Sequence, residues 1–185
     1  MKKYFKQYVE RLNEALKSYD WMPVEELAEA MKEAWERDRQ IFVCGNGGSA
    51  ANALHWANDF IYPVCKSGGR GMRITALPAN TSILTCLGND ISYDEIFSHQ
   101  LATLARAGDL LIVLSGSGNS PNIVRALQKA REIKMKTFAI LGFDGGKCLK
   151  LADTALHLPV HDMQIAENFQ MIICHAIMQA LARNQ

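Results

Sequence analysis

Two polar glycine loops hold the residues best suited to chemistry. The first runs Cys44-Gly45-Asn46-Gly47-Gly48-Ser49, the second Ser115-Gly116-Ser117-Gly118-Asn119-Ser120. Each follows a short apolar run and leads into a helical pattern. Backbone N–H groups at a helix N-terminus, with the positive end of the helix dipole, attract an anion. Glycine lets the backbone approach that anion closely, and serine hydroxyls add neutral donors. Neither loop has the lysine of a nucleotide-binding P-loop, and neither is a G-x-G-x-x-G fingerprint, so no nucleotide cofactor is expected. Several serines without an obligate lysine suit a small phosphomonoester. Either loop alone also reads as a tight strand-to-helix turn capped by serine. Two together, at the carboxyl ends of parallel strands, fall where open α/β sheets bind ligands.

Proton-transfer groups stand elsewhere in the chain. His55 and Asp59 are one helical turn apart on one face. Asp59 lies beyond the first loop by roughly 15 Å of helix axis. His175 sits in an apolar C-terminal helical pattern, where an imidazole is unusual, and Glu167 precedes it by eight residues. Moving a proton between adjacent carbons through an enediolate needs a base for the C–H proton and an acid for the carbonyl oxygen. Asp59 and His175 are the candidates. The i,i+4 spacing of His55 and Asp59 equally suits two ligands of one metal ion, with Glu167 and His175 completing a set of two histidines and two carboxylates. Eight residues of unbroken helix rise about 12 Å, so Glu167 joins His175 on one ion only from ahead of the helix or from another chain.

Strands alternating with helices supply the frame. Apolar runs at 41–44, 73–77, 109–114, 137–141 and 154–158 read as strands. The continuous apolar run at 109–114 marks a central parallel strand buried on both faces. Helical patterns fill 49–61, the stretch up to 87, 93–105, 121–133 and 165–183, with a short one after the Gly142–Lys147 turn. Parallel strands with right-handed crossovers follow, and hence one three-layer α/β domain over 1–185. Two amphipathic helices precede it within 1–38, with 39–185 as the α/β core. Their apolar stripes pack on that core or form an oligomer surface.

Charge and composition exclude several classes. Twenty Lys+Arg against 19 Asp+Glu leave a net charge of +1, without the basic surplus of a dedicated nucleic-acid binder. No apolar run reaches the roughly 18 residues of a membrane span. The N-terminus starts basic but turns amphipathic instead of entering an apolar h-region, so secretion is not expected. Five cysteines, odd in number and without a C-x-x-C pair, read as reduced core hydrophobes in a cytoplasmic chain.

The order of CGNGGSA, LGND at Leu87 to Asp90, SGSGNSPN and DGGK at Asp144 to Lys147 resembles the sugar isomerase (SIS) domain. Within it the chain is similar to the phosphoheptose isomerases acting on sedoheptulose 7-phosphate, from the first helices to the last. The resemblance implies a five-stranded parallel sheet between helices, and a homotetramer with active sites at subunit contacts. It implies an aldose–ketose isomerase yielding glycero-manno-heptose 7-phosphate for heptose or lipopolysaccharide biosynthesis. Ser49, Ser115, Ser117 and Ser120 would hold the phosphate, with Asn46, Gly47, Gly48, Gly116, Asp90 and Glu167 lining the substrate site. Some members of the resembled group bind zinc at positions matching His55, Asp59, Glu167 and His175. Three positions depart from the group's pattern: Asp59 stands for a catalytic glutamate, Glu167 for a glutamine, and Gly116 for a threonine. A non-catalytic SIS protein that binds a sugar phosphate, or a replication-initiator partner, is the alternative.

Overall fold

A computed structural model describes residues 1–66 and 68–183. Among these residues eight α-helices and five strands follow in the order α1 (Lys2–Lys17), α2 (Met22–Glu36), β1 (Ile41–Gly45), α3 (Gly48–Ile61), β2 (Ile74–Ala76), α4 (Thr81–Asp90), α5 (Ser98–Leu104), β3 (Leu110–Ser115), α6 (Pro121–Ile133), β4 (Lys136–Leu141), α7 (Cys148–Leu151), β5 (Thr154–His157) and α8 (Met163–Arg183). The strands form one parallel sheet in the order β2-β1-β3-β4-β5. β1 and β3 are buried along their whole length, which is why they read as unbroken apolar runs.

Alternation along each strand divides the core into two. Ile41 and Val43 of β1 face a cluster built with α2, α3 and α8, whereas Phe42 and Cys44 face a cluster with α4 to α7. Trp56, Phe60 and Phe169 are fully buried and lock α3 against α8. Truncating Trp56 or Phe169 to alanine should cost about 3–5 kcal/mol. The five cysteines are all free and four are buried. Burial pushes the thiols of Cys44 and Cys174 well above their usual range, and the Asp59 carboxylate adds to the effect at Cys174. Among the described residues no helix is long and apolar enough to cross a membrane.

Three details differ from the sequence reading. The helical pattern at 93–105 is broken: Tyr93–Glu95 forms a 3-10 turn and α5 begins at Ser98. Ser98 Oγ donates to the Glu95 carbonyl at 3.2 Å, a local bond that competes with continuous helix. The second strand is cut to three residues because Pro78 turns the chain into a 3-10 helix at Leu77–Ala79. The two N-terminal helices also part company. α2 buries Val24, Leu27, Ala30, Met31 and Ala34 in the core. α1 buries none of its residues and lies on the start of α8, through Arg11 to Asp162 (3.0 Å) and Asn168 to the Tyr8 hydroxyl (2.7 Å).

Candidate active site

β1 pairs with β2 on one side and β3 on the other, so the direction of winding reverses between β1 and β3. Open α/β sheets bind ligands outside the carboxyl ends of the strands at such a switch point. The first glycine loop follows β1 and the second follows β3, and Gly45 is in register with Leu114. The loops therefore lie side by side. A closed pair of side-chain hydrogen bonds ties the first loop to the start of α6, the helix that the second loop enters: Asn46 Nδ2 donates to Asn122 Oδ1 and Asn122 Nδ2 to Asn46 Oδ1, each at 2.8 Å. The Tyr93 hydroxyl donates to the same Asn46 oxygen at 3.1 Å.

The serine hydroxyls are aimed by what they accept. Asn52 donates to Gln170 Oε1 at 2.9 Å, which leaves Gln170 Nε2 to donate to Ser49 Oγ at 3.0 Å. Ser115 Oγ accepts from Gly118 N–H (3.1 Å) and Ser117 Oγ from Asn119 N–H (3.3 Å). A hydroxyl that accepts in this way keeps its own proton for another partner. Ser120 stands at the N-cap of α6 without a side-chain cap bond. The Asp144–Lys147 turn holds the second loop in place. Cys148 N–H donates to the Gly118 carbonyl (3.0 Å) and Lys147 N–H to Asn119 Oδ1 (3.1 Å). Gly118 has φ +63°, and a Cβ there would stand 2.0 Å from the Gly145 carbonyl oxygen, so only glycine fits.

The second part of the site lies where α3 packs on α8. His55 Nε2 and His175 Nε2 face each other at 3.1 Å. Asp59 Oδ2 is 3.4 Å from the first and 3.7 Å from the second. The Asp59 side chain is 8% exposed, whereas the two imidazoles are nearly half exposed. Asp59 Oδ1 accepts from Asn58 Nδ2 at 3.1 Å. A buried carboxylate thus faces two imidazoles that open to the surface. One atom from each of the three residues falls within 4.8 Å of the others, a spacing that suits a shared metal ion.

The SIS domain family model matches residues 3–142. The chain is 40% identical to a phosphoheptose isomerase of Aliarcobacter butzleri, over 86% of this chain and 84% of that protein. It is 34% identical to a phosphoheptose isomerase of Helicobacter pylori strain P12, over 100% and 95% of the two chains. Among solved structures, phosphoheptose isomerase GmhA from Neisseria gonorrhoeae superposes with a TM-score of 0.86 at 33% identity, covering 97% of this chain and 95% of that one. The chain belongs to the phosphoheptose isomerase family of SIS domain proteins. It is therefore an isomerase.

Within this SIS domain the positions singled out in the sequence fall into separate places. Asn46, Ser49, Ser115, Ser117 and Ser120 gather at the switch point. His55, Asp59 and His175 form the second cluster. Within one chain Glu167 does not stand with His55, Asp59 and His175, so of the two routes to a four-ligand set the one left is a contribution from another chain. Glu167 lies inside α8, so the rise of the helix carries it away from His175. Its carboxylate instead covers the first turn of α3, where a Cβ on Gly48 would meet Glu167 Oε1 at 2.3 Å. Asp90 closes α4 at the surface, and bonds from Asn89 and Cys86 hold its carboxyl below the usual range. Gly47 opens α3 with φ +54°. Gly116 is covered by Met163, whose sulfur would stand 2.6 Å from a Cβ there, so the space of the group's threonine is filled from α8.

Sequence reasoning missed Asn52, Tyr93, Asn122 and Gln170. Gln170 and Asn122 are each 1% exposed. The signal available for Gln170 is a lone amide in the apolar face of α8, and for Asn122 an amide in the first turn of α6. Neither pattern names the partner.

Proposed function

We propose that this isomerase interconverts sedoheptulose 7-phosphate and glycero-manno-heptose 7-phosphate. Ser49, Ser115, Ser117 and Ser120, with the N–H groups opening α3 and α6, grip the phosphate. Asp59 takes a proton from C1 of the ketose while His175, paired with His55, delivers one to the C2 oxygen. The resulting enediol then receives a proton at C2 and loses the one on O1, which leaves the C1 aldehyde. The observation that carries this reading is the convergence of His55, Asp59 and His175 on one spot along α3 from Ser49. The separation, roughly 15 Å of helix axis, calls for an extended sugar chain with its phosphate at the far end.

Two imidazole nitrogens and a buried carboxylate oxygen are also a fitting donor set for zinc, so His55, Asp59 and His175 would hold it. A bound zinc would act there as a Lewis acid towards a substrate oxygen. Exposed apolar side chains lie on and just after α3, namely Leu54, Ile61 and Tyr62, and α1 exposes Tyr4, Phe5 and Val9. These faces support a homotetramer in which a neighbouring copy closes the half-open cluster. Light scattering at micromolar concentration should give four times 20.6 kDa, and a stable monomer would contradict it. Five free cysteines support a cytoplasmic setting.

The test is a panel of five- to seven-carbon ketose phosphates incubated with the purified protein in deuterated water. Aldose product and deuterium at C1 or C2 from the seven-carbon substrate are expected. Phosphate binding with no turnover on any member would leave a sugar-phosphate-binding protein instead.

A further inference from the structure

The amino ends of β1, β2 and β3 meet at the edge of the sheet away from the serine loops. A cleft of about 440 Å³ opens there, lined by Arg37, Arg39, Arg73 and Arg106 and by the carboxylates of Asp38 and Asp109. Carboxylates pair with only two of the four arginines. Asp109 is buried, and its two oxygens accept from the backbone N–H groups of Gln40 (3.0 Å) and Arg106 (2.7 Å). Asp38 is shared between Arg70 at 3.0 Å and Arg73 at 3.5 Å. Arg37 pairs with Glu33 at the exposed surface. Among the described residues, Arg39 and Arg106 have no carboxylate partner within salt-bridge distance.

Two of the guanidiniums are held in place by the backbone. Arg39 Nη1 donates to the Ala107 carbonyl at 3.2 Å. Its head lies across Gly108, which has φ +84°, and a Cβ there would crowd the guanidinium carbon at 3.3 Å. Arg73 Nη1 donates to the Asp38 carbonyl at 2.8 Å, and Asp38 itself is left-handed at φ +54°. A guanidinium has five N–H donors, so both heads keep most of theirs for a ligand.

We propose that this cleft is a second anion site, which takes a diphosphate or longer oligophosphate group. Planar guanidinium forks match phosphate oxygens in pairs, and several converging forks favour a ligand of multiple negative charge. The cleft has the size of a small-molecule site and exceeds what a single phosphate fills. The serine loops, by contrast, offer neutral hydroxyls suited to a monoester. Five residues of β1 separate the two places by about 16 Å, so the occupant of the cleft is not the sugar being isomerised.

Calorimetric titration of the intact protein with pyrophosphate tests this. Ser117→Ala, which weakens the serine loops, should leave the pyrophosphate affinity unchanged. The double variant Arg39→Ala/Arg106→Ala should lower it by at least about tenfold, the size of one or more lost charge-assisted bonds. Arg39→Lys/Arg106→Lys keeps the charge but loses the forks, and should also bind more weakly than the parent. Adenosine diphosphate, run in parallel, tells a nucleotide from a free oligophosphate by whether it binds more tightly than pyrophosphate. The proposal fails if millimolar pyrophosphate gives no binding, if the alanine pair binds like the parent, or if the lysine pair does.

Discussion

In the serine loops, the predicted phosphate donors come from two runs of six neighbouring residues set by the register of β1 on β3. In the histidine–aspartate cluster, three side chains arrive from two helices, and the facing imidazoles are 120 residues apart. The loops are held by backbone bonds, amide pairs and glycine conformations, with Ser49, Ser115 and Asn122 buried. The cluster hangs on packing between α3 and α8, and two of its three members open to the surface. The proposed phosphate donors thus gather within one chain, while the proposed proton-transfer group has a buried carboxylate and two half-exposed imidazoles. Binding and chemistry should then respond to different substitutions.

The largest effect is expected from breaking the cluster. Asp59→Asn and His175→Gln should each lower turnover by about 10²–10⁴-fold with little change in inorganic-phosphate competition, because the loops stay intact. Single-turnover rates and phosphate inhibition constants measure the two separately. If the trio serves only to hold a metal, a chelator should reproduce the loss and added zinc should restore the parent protein. Near parental turnover in both variants would remove the assignment of chemistry to this cluster.

The same contrast separates what the amino-acid sequence makes legible from what it hides. Strands such as β1 and β3 and the helix α6 announce themselves, because full burial makes largely apolar runs and Pro121 marks a helix start. The serine loops are equally legible, since their chemistry lies in consecutive residues. Contacts across long stretches of chain are not. Asn46 finds Asn122 at a separation of 76 residues and Ser49 finds Gln170 at 121, and no local pattern encodes such a pairing. The place of Glu167 is illegible for the same reason. Spacing alone permits it near His175 or apart from it within the chain, and only its position inside α8 separates the two.

Next in size are the loops. Ser117→Ala should weaken phosphate and substrate binding by about 1.5–3 kcal/mol, the range for a hydrogen bond to a charged group, with turnover at saturation nearly unchanged. A fall in turnover without a change in binding would contradict the division of labour. Gln170 gives a finer test, because it stands on α8 yet orients a hydroxyl of the loops. Gln170→Leu removes the donor to Ser49 and leaves the Asn52 amide with its bond to the Glu167 carbonyl alone, so KM should rise by roughly fivefold to tenfold, near the upper value for a neutral hydrogen bond. Histidine–aspartate chemistry should persist at saturating substrate. A loss of turnover as large as that of Asp59→Asn would show that the two regions are coupled through α8 after all.

The smallest effect, and the sharpest in sign, concerns Glu167. Its carboxylate covers the first turn of α3, so it occupies the positive end of the helix whose N–H groups the proposed reading gives to the phosphate. Without substrate, that placement stabilises the fold by about 0.3–1 kcal/mol, the usual range for an acidic group at a helix N-terminus. With substrate, the same charge opposes the phosphate. Glu167→Gln restores the amide of the resembled group and removes the opposition. Thermal unfolding of the ligand-free variant should therefore begin slightly lower than in the parent, while its inhibition by inorganic phosphate should strengthen by up to about fivefold, the equivalent of 1 kcal/mol. Opposite movement of the two quantities is what distinguishes a competing charge from a structural one. If stability and phosphate affinity fall together, Glu167 instead supports the loop it covers, and the region around Gly48 is built by side-chain packing as the histidine cluster is.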